Sequence, residues 1–465
     1  MDFSTHFVTG SLPQASILPH WSMSSISRKL PPRLLVALAL FGFADKAAKA
    51  DAPAGPDPDE VRKVKEYIHA TWPDTIRTTK SKENPMEMEL PTRFTVPTPG
   101  AGFRMFFYWD TYFTSLGLIR DGYSDLTCDN AETMFYLIET LGFVPNYTFV
   151  GHDYRSQPPV AALQVGLCLP FRQNRAWRER AYRALKTEYI FWMSQRVFAD
   201  GLNHYGNHAY PKQIAEFEQV ISSRLPSLPS DPVARKRLVV HAVAEAESGW
   251  DFSPRWDRCC EDWASVDLNS LLYIEEREAA ELARDLNNGE EPTWRERMET
   301  RRTLMNRWLW DDQRGLFVDY DEARRERNPR ITAASFFPLF AGIAAEKQAV
   351  RSAAALAGLI TDHGVDTCLP SIQPQVYQWD SPNLWPPLQW IAVKGLLESG
   401  QRNLAVTIAK GYIATVAANF QRTHKLWEKY NARTGGIDVK NEYDMPAMMG
   451  WSAGVFLACC EVAGY

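Results

Sequence analysis

The chain has 465 residues, 12 % of them aromatic with 16 Trp, and a formal net charge of −5. That length leaves ample room for a substantial core in one large domain or in two or three ordinary ones, and the lack of an obvious linker favours one. Acidic and basic residues are interspersed, so no positive field exists to attract a phosphate backbone, which argues against nucleic acid as a partner.

At the N-terminus Arg28, Lys29 and Arg33 precede the apolar run Leu34 to Phe43, and Ala48 to Ala50 then offer small residues before Asp51. This is the pattern of a secretory signal peptide cleaved after Ala50, because a retained membrane helix needs about 20 apolar residues and the run is about half that. An internal Met23 would start a signal of ordinary length. Residues 1–50 are therefore expected to be an extension plus signal, and 51–465 a single domain, periplasmic or secreted and free of the membrane after cleavage.

Asp51 to Glu60 reads as an acidic, proline-rich leader. Beyond it apolar residues recur at helical spacing, and strand alternation is scarce. Trp177 to Arg196 and Asp267 to Leu286 are amphipathic helices by this criterion. Further helices are expected to begin near Thr111, Cys128, Val160, Val233, Pro292, Thr332, Lys347, Pro387, Asn403 and Trp451, about a dozen in all. Long loops rich in Pro, Gly, Trp and Asp separate them, and loops of that length in a compact domain are usually functional or disordered. The fold class is all-α. A toroid of helical hairpins and an irregular helical bundle both satisfy the periodicity. Of the cysteines, Cys259 and Cys260 are adjacent, as are Cys459 and Cys460, while Cys128, Cys168 and Cys368 stand alone. None has metal-ligand spacing. Export permits disulfides, but an odd count leaves a thiol over, and no catalytic role is assigned to any of them.

Two segments carry acids among aromatic rings. In AESGWDFSPRW, Ala246 to Trp256, Asp251 is flanked by Trp250, Phe252 and Trp256 behind Gly249, and in LWEKYN, Leu426 to Asn431, Glu428 lies beside Trp427 and Tyr430. Desolvation raises a carboxyl pKa toward the range where it can protonate a leaving group at neutral pH. Two such acids point to a glycosidase. The plainer alternative is a pair of hydrogen-bonded core carboxylates. The aromatic surplus offers flat faces for sugar rings, although most of the rings must pack the interior.

Further segments fall in a telling order. They are PGAGFRMFFYWDTYF (Pro99 to Phe113), RSQPP (Arg155 to Pro159), GWDFSPRW with the later VDLNSLLY (Val266 to Tyr273), QWDSPNLWPPLQ (Gln378 to Gln389), and EKYN with GWSAGV (Gly450 to Val455). Together they resemble the inverting trehalase family of glycoside hydrolases, over roughly Pro91 to the C-terminus. The resemblance implies an (α/α)6 barrel, and so selects the toroid, with long functional loops at one mouth. It also implies that Asp251 is the general acid and Glu428 the general base. Substrate contacts carry over to Phe103, Trp109, Asp110, Asn146, Arg155, Gln157, Trp250, Trp379, Asp380 and Glu442. For Arg155 and Asp380 the structural alternative is a buried ion pair bracing loops, and for Trp109 and Trp379 a core role. No metal or organic cofactor enters, and the expected partner of a monomer is a small disaccharide.

Departures from the family pattern fall on the substrate side. Ala101, Gly102 and Met105 stand where the family has G-G-R and then Glu, so a sugar-binding Arg is replaced by Gly102. The R-P-E step before the acid has no counterpart, and the nearest segment, His208 to Gln219, offers only Lys212 or Glu216. Leu384 replaces a Gly. Three readings follow: inverting hydrolysis of the α,α-1,1 bond of trehalose, an inverting α-glucosidase acting on another small glucoside, and an inactive carbohydrate-binding relative.

Overall fold

The computed structural model describes residues 55–79, 85–100, 102–224, 227–370, 377–441, 443–447 and 450–465. The signal segment, Ala101 and Glu442 lie outside them. Fourteen α-helices run through the described residues: α1 Pro58–Thr71, α2 Tyr108–Arg120, α3 Ser124–Leu141, α4 Ala161–Cys168, α5 Arg175–Gln195, α6 Pro211–Ser222, α7 Pro232–Glu247, α8 Val266–Leu286, α9 Glu291–Trp308, α10 Phe337–Ala341, α11 Glu346–Ala355, α12 Pro386–Glu398, α13 Arg402–Thr423 and α14 Gly450–Ala463.

Sequence decides which helices lie inside. α2, α4, α10, α12 and α14 are apolar around most of their circumference, and these five and α8, which also buries Asp267, Asn269, Glu275 and Glu276, are largely buried. A helix hydrophobic all round has no face to offer water. Each of these packs on the next, and α14 returns to α2, which closes a ring. Between them in chain order come α1, α3, α5, α9, α11 and α13, which keep a polar face. α5, for example, buries Trp177, Leu185 and Trp192 and exposes Arg175 and Arg183. Six alternating pairs make an (α/α)6 barrel. α6 and α7 stand outside the count as an extra hairpin between α5 and α8. Ile214, Phe217 and Ile221 of α6 pack on Val239, Ala242 and Val243 of α7 in a cluster of their own.

Ring closure depends on small residues where α2 meets α14. A Cβ on Gly454 would lie 1.9 Å from the Phe113 carbonyl oxygen, and one on Gly117 would lie 2.7 Å from Gly454 Cα. Only glycine lets the two backbones approach so closely.

The sequence misplaced two stretches. The supposed leader contains the start of α1, where the Asp57 side chain accepts from Asp59 N and Pro58 opens the helix ahead of Asp59 and Glu60. Those prolines and acids are start signals, since an N-cap acceptor, a first-turn Pro and first-turn acids all suit orphan N–H groups. α6 was not expected at all, although Ile214, Phe217 and Ile221 follow helical spacing. Strands are only two residues long, and one pair matters for the site: Asn383–Leu384 against Tyr430–Asn431, which ties the segment before α12 to the one before α14. Among the described residues no helix is long and apolar enough to cross a membrane. All seven cysteines are free thiols.

Candidate active site

The segments entering the inner helices converge at one mouth. Trp109 and Asp110 start α2, Arg155 and Gln157 precede α4, Asp251 precedes α8, Trp379 precedes α12 and Glu428 precedes α14. All seven line one cavity of about 650 Å³, to which Phe103 and Asn146 also contribute.

The acid segment is fixed rather than loose. Gly249 has φ +74°, and a Cβ on it would lie 2.9 Å from the Trp109 ring, so this glycine is where the chain and that indole touch. Trp250 is fully buried behind the lining, stacked on Trp379 at 5.3 Å, and Trp379 stacks in turn on Trp385 at 3.9 Å with an interplanar angle of 2°. Gln378 Nε2 donates to the Asp251 carbonyl at 2.7 Å, and Trp379 N donates to the Phe252 carbonyl at 3.1 Å. Four residues on, the buried Arg255 holds Asp267 at 2.8 and 2.9 Å and Asp319 at 2.6 and 2.8 Å. Bidentate pairs of this kind lock orientation as well as charge.

The Asp251 side chain is 34 % exposed, and its Oδ2 lies 3.8 Å from Arg224 Nη1. Burial below the protein surface raises its pKa above the ordinary carboxylate range; Arg224 and then Arg155 oppose the shift, and Glu428 adds to it. Glu428 is held differently. Lys429 Nζ donates to Oε2 at 2.7 Å, Tyr443 Oη donates to Oε1 at 2.6 Å, and Trp451 Nε1 donates to the Glu428 carbonyl at 3.0 Å. Each carboxylate oxygen has a second lone pair, so this geometry orients the group while leaving capacity to accept from a water. Burial pushes Asp110 up to about 8, with Glu428 and Asp251 contributing. At pH 7 it is largely neutral and able to donate a hydrogen bond.

Arg155 is buried, and its Nε and Nη1 have no hydrogen-bond partner among the described residues. Its guanidinium lies over the rings of Tyr154 (5.1 Å), Phe217 (5.4 Å) and Tyr147 (5.8 Å). The brace in this region is the buried pair Arg196–Glu247 (2.8 Å), whose carboxylate also accepts from Ser156 N at 2.9 Å. Asn146 Nδ2 reaches the Ala246 carbonyl at 3.2 Å, and Gln157 Oε1 accepts from Trp109 N at 3.0 Å.

Not every expected contact faces the cavity. Asp380 is buried away from it, where it pairs with Lys440 Nζ at 2.8 Å and accepts from Ser381 N at 2.8 Å and Cys368 Sγ at 3.0 Å. The expected grip on a sugar hydroxyl therefore gives way to bracing of the loop before α12. Trp250 likewise supports the lining from behind. Lys429, Tyr443, Arg224 and Phe217 were missed. Lys429 lies inside EKYN and Tyr443 directly follows Glu442, whereas nothing in the sequence marked Arg224, which reaches the cavity only because α6 forms. Gly102 lines the cavity with open space around its Cβ position, and Lys212 points to solvent, 3.8 Å from Glu216. Among the described residues, His241, Cys259 and Asp262 could share an ion, but they lie outside the cavity, and Arg237 already donates to Asp262 at 3.1 Å.

Two separately held carboxyls facing one cavity, with indoles and a buried guanidinium around them in an (α/α)6 barrel, define a glycosidase. The profile of the Trehalase family matches residues 46–464. The chain belongs to the trehalase family. It is 36 % identical to the periplasmic trehalase of Pseudomonas aeruginosa over 409 residues, covering 81 % of this chain and 72 % of that one. It is 32 % identical to the putative periplasmic trehalase of Salmonella typhi over 433 residues, covering 87 % and 74 %. Among solved structures it is similar to the neutral trehalase Nth1 from Saccharomyces cerevisiae, with a TM-score of 0.67 at 23 % identity over 85 % of this chain and 79 % of that one. A GH63 mannosylglycerate hydrolase from Thermus thermophilus in complex with glucose shares the fold, with a TM-score of 0.59 at 18 % identity over 85 % and 99 %.

Proposed function

We propose that this enzyme hydrolyses α,α-trehalose to two glucose molecules with inversion, in the periplasm, with Asp251 protonating the glycosidic oxygen and Glu428 deprotonating the attacking water. The observation that carries the reading is the placement of both carboxyls on one cavity with different partners: Arg224 beside Asp251, and Lys429 and Tyr443 on Glu428. An inverting reaction needs such a pair on opposite faces of the sugar, about 6.5–9.5 Å apart, with room for water between them. The names of the bacterial relatives support both the substrate and the compartment.

A second reading keeps the chemistry and changes the leaving group. Gly102, Met105, Phe217 and Val220 make part of the lining uncharged, and the family's arginine and R-P-E step are absent from it. That composition favours another small glucoside. A panel of trehalose, kojibiose, maltose, glucosylglycerol and p-nitrophenyl α-glucoside, assayed for released glucose, separates the two. Trehalose should give the highest kcat/KM, and a higher value for any other member transfers the assignment to that substrate.

Arg155 supplies a prediction of its own. Its Nε and Nη1 have no hydrogen-bond partner among the described residues, so Arg155→Ala should leave the melting temperature within a few degrees of wild type. Loss of a charged hydrogen bond to substrate costs about 1.5–3 kcal/mol, so kcat/KM should fall roughly 10- to 150-fold. A large drop in melting temperature with little kinetic defect would assign Arg155 a bracing role instead.

A further inference from the structure

α6 places a charge in the cavity that no motif announces. Arg224 follows the C-terminal end of that helix by two residues, and α6 is held against α7 by a cluster separate from the barrel core. Arg224 Nη1 lies 3.8 Å from Asp251 Oδ2. Its guanidinium also lies over the rings of Tyr443 (5.6 Å) and Phe252 (5.9 Å), and Tyr443 is the residue that donates to Glu428 at 2.6 Å. One guanidinium therefore touches the acid directly and the base through a single tyrosine. The rest of the wall that α6 contributes includes apolar Phe217 and Val220, with Glu216 also on the lining.

We propose that Arg224 is the specificity-determining cation on the leaving-group side of the cavity: it grips a hydroxyl of the departing sugar, a duty left open at Gly102, and holds the Asp251 carboxyl toward the glycosidic oxygen. A general acid stands on the leaving-group side by the nature of the reaction, so a cation at its carboxyl stands there too. The proposal rests on the reading of Asp251 as proton donor.

Arg224→Ala and Arg224→Lys are compared with wild type on the disaccharide turned over best and on p-nitrophenyl α-glucoside, whose aryl group offers no hydroxyl to grip and leaves with little proton assistance. Arg224→Ala should lower kcat/KM about 10- to 100-fold on the disaccharide but less than about threefold on the aryl glucoside, with part of the loss restored in Arg224→Lys. The pH profile gives a second readout. A neighbouring cation favours the ionised acid, so its removal makes Asp251 harder to deprotonate, and the high-pH limb of kcat/KM should move upward. The other groups around Asp251, namely Arg155, Glu428, Asp110 and Tyr443, are unchanged in this variant. Equal losses on both substrates with an unmoved limb would overturn the proposal and leave Arg224 a purely structural residue. Asp251→Asn on the same substrates separates the levels. If it is inactive on the disaccharide, the Arg224 result stands or falls alone, and if it is active, the acid assignment fails and the proposal with it.

Discussion

Asp251→Asn should reduce turnover of a disaccharide by about a hundredfold to ten-thousandfold, the range that general-acid assistance supplies, with no loss of folded protein. The substitution preserves shape and removes the transferable proton. Its effect on stability has a definite sign. Because burial raises the folded-state pKa of Asp251, the unfolded chain releases this proton at lower pH than the folded one, and the ionised carboxyl lowers stability as pH rises from the ordinary carboxylate range through the raised value. A neutral Asn carries no such cost, so the melting temperature at pH 7 should be equal to wild type or higher. p-Nitrophenyl α-glucoside should retain far more activity than the disaccharide, since its leaving group departs without a proton. Steady-state rates and thermal melts on the same preparation check all three statements, and disaccharide turnover near the wild-type rate would refute the role of Asp251.

The largest stability effect is expected a turn further along the chain. Arg255 is fully buried, its guanidinium lies 4.3 Å from the Trp256 ring centroid and 4.8 Å from that of Trp250, and it bonds both oxygens of Asp267 and of Asp319. Asp319 Oδ1 accepts from Val266 N as well, at 2.9 Å, so one cluster fastens the loop after Asp251 to the first turn of α8. Removing one partner of a buried ion pair strands the other charge in the interior and costs about 3–5 kcal/mol. Arg255→Leu strands two carboxylates. It should therefore fall at or above that range in urea denaturation, and it should also lower kcat, because the backbone that aims Asp251 loses its anchor. Asp319→Asn leaves Asp267 paired with Arg255 and should cost less. A midpoint for Arg255→Leu indistinguishable from wild type would show that the cluster carries no such share of the stability.

Which helices lie inside could not be read from periodicity: Trp177–Arg196 and Asp267–Leu286 both read as amphipathic, yet Val266–Leu286 belongs to the inner ring and Arg175–Gln195 to the outer one. The helices themselves could be read from local periodicity. Ring closure could not, since it depends on contacts such as Gly454 against Phe113, whose partners are more than 300 positions apart along the chain. α1 was lost because Asp51 to Glu60 read as an acidic, proline-rich leader, where Pro58 in fact opens a helix. In the site, the acid and the base were found in their own segments, Lys429 and Tyr443 were missed although they lie in or beside named residues, and Arg224 and Phe217 were missed because packing brings them. Asp251 and Glu428 announce themselves through their aromatic neighbours in sequence, while Arg155 came with the family resemblance. Arg224 reaches Asp251 only through the docking of α6 on α7, and Asp380, buried away from the cavity, pairs there with Lys440, 60 residues later.

Opposed action of Asp251 and Glu428 has a stereochemical signature that no structural role can imitate. Inversion at one anomeric carbon of α,α-trehalose yields one β-glucose, while the departing glucose keeps its α configuration. Proton NMR of the first turnovers, recorded before mutarotation, should therefore show α- and β-glucose in equal amounts. α-Glucose alone would mean retention, and with it a nucleophilic carboxylate in place of an activated water.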